Sequence, residues 1–213
     1  MALRREALKL YLVTDPVLCA DLGVVETVRR AVAGGVSMVQ LRDKQATTAE
    51  RVSLARALMD VLKGTGVPLI VNDDLEAAVA SGADGAHIGQ SDGSPHRARA
   101  LLGPDRILGL SCETAAKVAA TKGMNLDYLG LGPVFATGTK ADHEPPIGLA
   151  GLATLVSATD LPTVAIGGLK ASHVHDVLAA GTDGLCVVSA ICGQADPQAA
   201  AAAFYPPQTG DAQ

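Results

Sequence analysis

The chain has 213 residues, of which 48% are apolar, enough to form the core of one α/β domain, and no change in composition indicates a second. A formal net charge of −5 argues against a nucleic-acid-binding surface, and no apolar run approaches the roughly 18 residues that a membrane span needs. The four cysteines form no Cys-X-X-Cys pair, which is typical of buried thiols in a reducing compartment, so we expect a cytoplasmic protein. The charge and the short apolar runs lead us to expect no nucleic-acid or membrane partner.

Short apolar runs alternate with Ala- and Leu-rich helical stretches along the chain. The predicted strands lie near residues 9–14, 36–41, 67–71, 84–88, 106–110, 126–131, 162–166 and 183–188. The predicted helices lie near residues 21–33, 47–63, 74–80, 94–102, 113–122, 148–158, 171–180 and 189–203. This alternation predicts a parallel sheet with helical crossovers, and eight compact units favour a single (β/α)₈ TIM barrel over residues 1–205. We expect the tail, residues 206–213, to be disordered.

Polar side chains follow the second predicted strand, Val36 to Leu41. Because side chains alternate along a strand, Gln40, Arg42 and Lys44 point the same way if the extended conformation persists, and Leu41 points to the other face. Parallel α/β folds keep their active sites at the carboxyl ends of the strands. Two cations and an amide at such an end predict a local site for an anionic ligand.

Carboxylates follow the third and fourth predicted strands. Asn72-Asp73-Asp74 comes after the third strand, and Asp92 comes after the fourth. Taken alone, either group is equally well explained as a helix cap or an ordinary loop carboxylate. Because the two strands are adjacent, however, Asp73 and Asp92 lie at the same end of the predicted barrel. Two carboxylates there, with cations nearby, suit a Mg²⁺ ion that also binds phosphate oxygens.

The longest predicted connection runs from Gly132 to Ile147 and contains Thr137-Gly138-Thr139-Lys140. Two hydroxyls, a glycine and a lysine within four residues can surround an oxyanion; the alternative is a solvated, flexible loop. A connection this long in so compact a barrel is more typical of a functional segment than of a neutral one.

Small residues follow the last two predicted strands and the fifth. Gly167-Gly168 and Ser189 occupy the position after strands seven and eight where TIM barrels recurrently bind phosphate. Ser111 follows strand five and can either bind a ligand or cap the next helix. No Ser-His-Asp or Cys-His arrangement can be assembled from the strand ends, and His87 has no spacing typical of a metal ligand.

In their order along the chain, these motifs closely resemble those of thiamine phosphate synthase. The resemblance covers about residues 9–192, and it is carried by the combination of motifs since none is specific alone. The motifs are Gln40-Leu-Arg-Asp-Lys44, Asn72-Asp73, Gly89-Gln90-Ser91-Asp92, Gly109-Leu-Ser111, Gly132-Pro-Val-Phe-Ala-Thr-Gly-Thr-Lys140 and Ile166-Gly-Gly-Leu169.

The resemblance implies a transferase that joins an aminopyrimidine diphosphate to a thiazole phosphate, releasing pyrophosphate by a dissociative, Mg²⁺-assisted mechanism. It implies that the pyrimidine diphosphate contacts Gln40, Leu41, Arg42, Asp43, Lys44, Asn72, Ser111 and Lys140. Of these, Arg42, Lys44, Ser111 and Lys140 would be catalytic. The thiazole phosphate would contact Thr137, Gly138, Thr139, Gly168, Val188 and Ser189. Asp73 and Asp92 would hold Mg²⁺, the one implied cofactor. Small-molecule substrates are the expected partners, and a homo-oligomer is compatible with the sequence.

Three alternatives remain beside this hypothesis. A thiazole tautomerase of the same superfamily binds only a thiazole phosphate and needs neither the cation cluster nor the metal carboxylates. A general phosphosugar barrel leaves Arg42, Lys44 and Lys140 without a role. A non-catalytic barrel that binds a phosphate ligand is expected to have lost at least one charged residue of the predicted site. None is lost among Arg42, Lys44, Asp73, Asp92 and Lys140.

Overall fold

The chain forms a closed barrel of eight parallel strands in sequential order, with β1 paired to β8. The structure is a computed structural model that describes residues 3–137 and 145–205. The strands are β1 Leu10–Val13, β2 Met38–Leu41, β3 Leu69–Asn72, β4 Gly85–Ile88, β5 Ile107–Cys112, β6 Tyr128–Leu131, β7 Thr163–Ile166 and β8 Gly184–Val187. The helices are α1 Val24–Ala33, α2 Thr48–Leu62, α3 Leu75–Ser81, α4 Pro95–Leu102, α5 Ala115–Ala120, α6 Gly148–Ser157, α7 Val174–Ala179 and α8 Pro197–Ala202. The predicted TIM barrel is confirmed.

The strands separate two apolar layers, because successive side chains point to opposite faces. One layer fills the barrel and includes Tyr11, Met38 and Tyr128. The other lies between the strands and the helices and includes Val39 and Leu41. Gln40 therefore shares the inner face of β2 with Met38, as the alternation predicts.

Helix starts fix the loops at the carboxyl ends of β2 and β3. Thr47 and Glu50 form a capping box at the start of α2, and Asp74 caps α3 by accepting from the Ala77 N–H at 2.8 Å. Arg51 in α2 pairs with the Asp74 carboxylate at 2.9 Å and donates to the Asp43 carbonyl at 2.9 Å. One guanidinium thus ties together the two loops that follow β2 and β3.

The end of the chain differs from the prediction of a helix over residues 189–203. The structure has turns after β8, and α8 begins only at Pro197. Gly193 has a positive φ of 78°, which interrupts a right-handed helix, and Asp196 caps a new one by accepting from two backbone N–H groups. The segment that follows β8 is therefore a compact turn at the mouth of the barrel.

No helix within the described ranges is long and apolar enough to cross a membrane. Residues 206–213, for which we predict disorder, lie outside the described residues, as do Gly138, Thr139 and Lys140.

Candidate active site

The carboxyl ends of the strands surround a cavity of about 680 Å³. On one side, the cavity is lined by six residues of the predicted diphosphate and metal sites: Gln40, Arg42, Lys44, Asn72, Asp73 and Asp92. Ser111 lines it as well, from the end of β5. On the other side lie Thr137, Gly168, Val188 and Ser189. The barrel thus brings together every described residue of the predicted site except Leu41 and Asp43.

Leu41 and Asp43 turn their side chains away from the cavity. Leu41 packs in the layer between the strands and the helices. The Asp43 carboxylate accepts from the N–H groups of Gln45 and Ala46 and so shapes the loop after β2. Only the main chain of these two residues is left for contact with a ligand at this end of β2.

Arg42 is held at the mouth of the barrel by the end of β1. Its backbone N–H donates to the Thr14 hydroxyl at 3.0 Å, and its guanidinium lies 3.9 Å from the Asp15 carboxylate. Asp15 also accepts from the N–H groups of Val17 and Leu18, which fixes the carboxylate. Because Asp15 occupies little of the guanidinium, donors of Arg42 are left to meet an anion in the cavity.

Asp73 and Asp92 form a pair of carboxylates at the cavity edge. The pKa of Asp73 is raised to about 6, mainly by burial and also by Asp92 as a hydrogen-bonding and like-charged neighbour, while Asn72 and the Lys44 ammonium lower it. Asn72 donates to Asp73 at 2.6 Å, and the Gly89 N–H donates to Asp92 at 2.8 Å. Two carboxylates held this close favour a cation between them.

The backbone of Asp73 is unusual as well. Its φ of 62° is the one positive φ outside glycine among the described residues. Non-glycine residues adopt this left-handed conformation only at a cost, and such residues concentrate at functional sites. The conformation directs Asp73 into the cavity, while its neighbour Asp74 performs the helix capping.

The donor set of this carboxylate pair fits Mg²⁺. No group of three or more His, Cys, Asp or Glu residues that could hold a metal occurs within the described part of the chain. Mg²⁺ does not need one, since it commonly takes one or two carboxylates and fills its other positions with phosphate oxygens and water. Asp73 and Asp92 supply two hard oxygen ligands of this kind, and the metal site itself stays a prediction.

Residues other than Ser111 and Asp92 cap the helices that follow β5 and β4. Thr114 caps α5 by accepting from the Lys117 N–H, and Ser94 caps α4 by accepting from the His96 N–H. Neither Ser111 nor Asp92 is therefore needed as a helix cap. Their side chains are available for the cavity that both residues line.

The opposite side of the cavity is built from backbone at the ends of β7 and β8. Gly168 has a φ of 64°, and a Cβ atom there would lie 2.6 Å from the Ala136 carbonyl oxygen. Only glycine fits both the conformation and the space. Val188 and Ser189 begin the turn after β8, so backbone N–H groups and a hydroxyl meet there.

Sequence reasoning missed a set of polar side chains on the floor of the cavity. Tyr11, Tyr128 and His87 form a hydrogen-bonded chain that connects Gln40 to Ser111. The available signal was the inward register of Tyr11 and Tyr128 in strands of a chain that has only three tyrosines. The partners are as many as 117 residues apart, so no local motif reveals the connection.

Comparison with known proteins places this chain in a family. The family model described as thiamine monophosphate synthase matches residues 10–191. The chain belongs to the thiamine monophosphate synthase family. Within that family it is 51% identical over 199 residues to the thiamine-phosphate synthase of Psychrobacter sp. (strain PRwf-1), covering 92% of this chain and 93% of the relative.

Further relatives support the same family. The chain is 53% identical over 197 residues to the thiamine-phosphate synthase of Xanthobacter autotrophicus, covering 92% of this chain and 93% of the relative. A solved structure of thiamine phosphate pyrophosphorylase from Pyrococcus furiosus superposes with a TM-score of 0.85 at 34% identity, covering 94% of this chain and 95% of the other. This family of transferases therefore matches the chain in sequence and in fold over nearly its whole length.

Proposed function

We propose that the protein is a thiamine phosphate synthase, which couples 4-amino-2-methyl-5-hydroxymethylpyrimidine diphosphate to a thiazole phosphate and releases pyrophosphate. The observation that carries the proposal is one cavity whose lining includes described residues of both predicted anion sites. One region combines Arg42 and Lys44 with the carboxylates of Asp73 and Asp92. The other is formed by Gly168 and the turn that begins at Val188. A reaction of two phosphorylated substrates needs both regions.

The charges of the first region suit a diphosphate that binds with a metal. Arg42 offers a planar set of donors, which matches phosphate oxygens, and Lys44 offers a mobile point charge. Lys140, which lies outside the described residues, would add a third cation from the loop after β6. Asp73 and Asp92 would hold Mg²⁺, which when bound neutralises the charge on the diphosphate oxygens.

The chemistry asks the protein to stabilise a leaving group and to orient a nucleophile. The bond between the exocyclic methylene and the diphosphate oxygen breaks, and the electron-rich aminopyrimidine stabilises the resulting cation. The thiazole nitrogen then forms the new carbon–nitrogen bond. Arg42, Lys44 and Lys140 would stabilise the departing pyrophosphate, and Ser111 and Gln40 would hold the pyrimidine in line. No nucleophilic side chain is required, in keeping with the failure to assemble a catalytic triad from the sequence.

The second region would hold the thiazole phosphate opposite the leaving group. Gly168 lets the backbone approach closely, and Ser189 and Thr137 provide hydroxyls at the cavity wall. Gly138 and Thr139 belong to the same proposed region. A thiazole fixed at its phosphate presents its ring toward the centre of the barrel, where the pyrimidine cation forms.

The competing activity is tautomerisation of the thiazole phosphate, which would use the second region alone. Tautomerisation gives no role to the carboxylate pair of Asp73 and Asp92. It also gives no role to Arg42, which Asp15 holds at the cavity. To separate the two activities, the purified protein is incubated with both substrates and Mg²⁺, and the products are identified by chromatography. Thiamine phosphate supports the proposal, whereas an isomerised thiazole without coupling contradicts it.

A further inference from the structure

Five side chains on five strands form a continuous line of hydrogen bonds across the floor of the cavity. The Gln40 amide nitrogen donates to the Tyr11 hydroxyl at 2.6 Å, and the Tyr11 and Tyr128 hydroxyls are 2.8 Å apart. The Tyr128 hydroxyl lies 2.9 Å from His87 Nδ1, and His87 Nε2 lies 2.9 Å from the Ser111 hydroxyl. We call this line the tyrosine–histidine relay; it connects β2, β1, β6, β4 and β5.

The relay is buried except at Ser111, which is partly exposed at the cavity. Tyr11 and Tyr128 are at most 1% exposed, Gln40 is 4% exposed and His87 is 8% exposed. No buried polar side-chain atom among residues 3–137 and 145–205 lacks a hydrogen-bond partner. The centre of a TIM barrel is ordinarily filled by apolar side chains, and a polar network there is costly unless complete. Its completeness indicates that the network fixes the orientation of its members.

One hydrogen on each hydroxyl gives the relay a direction. Burial raises the pKa of both phenols, so each keeps a single proton. Tyr11 accepts from Gln40 and therefore donates to Tyr128, which in turn donates to His87 Nδ1. The imidazole then carries its proton on Nε2 and donates it to the Ser111 oxygen. The hydroxyl hydrogen of Ser111 is left to point into the cavity.

The two ends of the relay consequently offer a ligand opposite groups. At the β2 end, the amide nitrogen of Gln40 faces Tyr11, so the amide oxygen is left as an acceptor in the cavity that Gln40 lines. At the β5 end, Ser111 is a donor. A reversal at either end would require every hydrogen bond between them to reverse, because each member depends on its neighbour.

We propose that Tyr11, Tyr128 and His87 are positioning residues that fix Gln40 as an acceptor and Ser111 as a donor, and so select an aminopyrimidine over its oxo counterpart. The inference rests on the proposed function. An aminopyrimidine presents an N–H donor and an unprotonated ring nitrogen, which complement the two ends. The oxo compound presents a carbonyl and a ring N–H instead. Its carbonyl would then face the acceptor of Gln40, and its ring N–H would face the donor of Ser111.

Nitrogen-15 NMR of the ligand-free protein tests the direction of the relay. The His87 resonances are assigned by their absence in His87→Gln. The relay predicts the neutral tautomer with the proton on Nε2. A proton on Nδ1 would overturn the inference, because Ser111 would then donate to His87 and turn an acceptor to the cavity. Since no substrate is present, this measurement is independent of whether the enzyme couples its substrates.

Kinetics of Tyr128→Phe test the selection, since this variant removes the central hydroxyl and keeps the ring. We expect kcat/KM for the aminopyrimidine diphosphate to fall about 10- to 100-fold, and the preference over the oxo analogue to fall with it. The KM for thiazole phosphate should stay unchanged. Tyr11→Phe should behave alike, and the double variant should be no worse than the poorer single variant, because both break one relay.

Tyr205→Phe is the matched control. Its hydroxyl donates to the Lys9 carbonyl at 2.9 Å, away from the cavity, and its loss should leave the preference intact. A wild type that couples its substrates while Tyr128→Phe keeps full discrimination would overturn this inference alone. A wild type that forms no thiamine phosphate from the aminopyrimidine diphosphate would overturn the proposed function, and the selection with it.

Discussion

At the scale of single residues, Asp73 combines three features that are expected to lower the stability of the folded protein. Its backbone is left-handed, its carboxylate is half-buried, and Asp92 is a like-charged neighbour. Each of these features costs folding free energy. A bound cation between the two carboxylates offsets the charge repulsion. In the absence of metal, the protein should therefore be more stable once this charge is removed.

We expect Asp73→Asn to raise the free energy of unfolding by about 1–3 kcal/mol at pH 7.5 in EDTA, because asparagine tolerates a left-handed φ and is uncharged. The pKa of about 6 in the folded protein lies above the ordinary value of 3.8, so ionisation of Asp73 destabilises the native state as pH rises between them. The gain should thus be nearly full above pH 6, small near pH 4 and absent well below pH 3.8. Urea unfolding at both pH values measures it.

The exposed Asp60→Asn is the control for Asp73→Asn and should change little at either pH. Equal gains in the two variants, or a gain for Asp73→Asn that is as large at pH 4 as at pH 7.5, would contradict the assignment of strain to Asp73. In Asp73→Asn, turnover should also depend much less steeply on Mg²⁺ concentration than in the wild type.

Arg42 is the second residue on which the proposed chemistry depends. We expect Arg42→Ala to lower kcat by about two to three orders of magnitude, which is the scale of losing one preorganised charge partner of a developing anion. The exposed Arg97→Ala should retain wild-type kcat and control for the lost charge. Steady-state release of pyrophosphate measures both, and near-wild-type turnover of Arg42→Ala would remove it from catalysis.

At the scale of elements, the strands could be predicted because each is a short apolar run between helical stretches. The alternation along β2 also placed Gln40 inside the barrel and Leu41 outside it. The predicted start of the helix after β8 was wrong, since apolar and alanine-rich composition concealed the break at Gly193 and the new start after Asp196. Local composition predicts an element, but a positive φ and a cap determine where it begins.

The tyrosine–histidine relay could not be predicted, because its members meet only when β1 closes the barrel between β2 and β8. Its rings depend on a second element-level feature. A Cβ atom at Gly109 would collide with the Tyr128 ring and lie 2.5 Å from His87 Nδ1, whereas at Gly130 it would lie 3.3 Å from His87. Neighbouring strands thus leave the space that the two rings occupy.

We expect Gly109→Ala to lower the free energy of unfolding by about 2 kcal/mol or more, because the ring of Tyr128 has no room to move within the barrel. Gly130→Ala should cost clearly less, since its contact can be relieved by a small shift of His87. Denaturant unfolding of the two variants tests the order. Equal stabilities, or a less stable Gly130→Ala, would show that the rings are not tightly confined.

At the scale of the whole molecule, the barrel brings residues of two proposed anion-binding regions to one end of its strands. The sequence predicted both because strand ends converge on one face of this fold, and the structure places the described members around a single cavity. The sequence could not predict which polar groups cap helices and which line the cavity. Asp74, for example, caps α3, while its neighbour Asp73 lines the cavity.

The separation of the two regions predicts a selective loss of binding. In isothermal titration calorimetry, Arg42→Ala should weaken binding of pyrimidine diphosphate with Mg²⁺ by about tenfold or more and leave thiazole phosphate binding unchanged. Gly168→Ala should do the reverse, because its new Cβ displaces the backbone that approaches the phosphate. Loss of both ligands in either variant would contradict two separate regions.

The most direct test of thiamine phosphate synthase activity is a phosphorus NMR time course of the wild-type protein with both substrates and Mg²⁺. We expect the substrate diphosphate signals to disappear while thiamine phosphate and pyrophosphate appear in equal amounts. Unchanged diphosphate signals, accompanied only by conversion of the thiazole phosphate to an isomer, would contradict it.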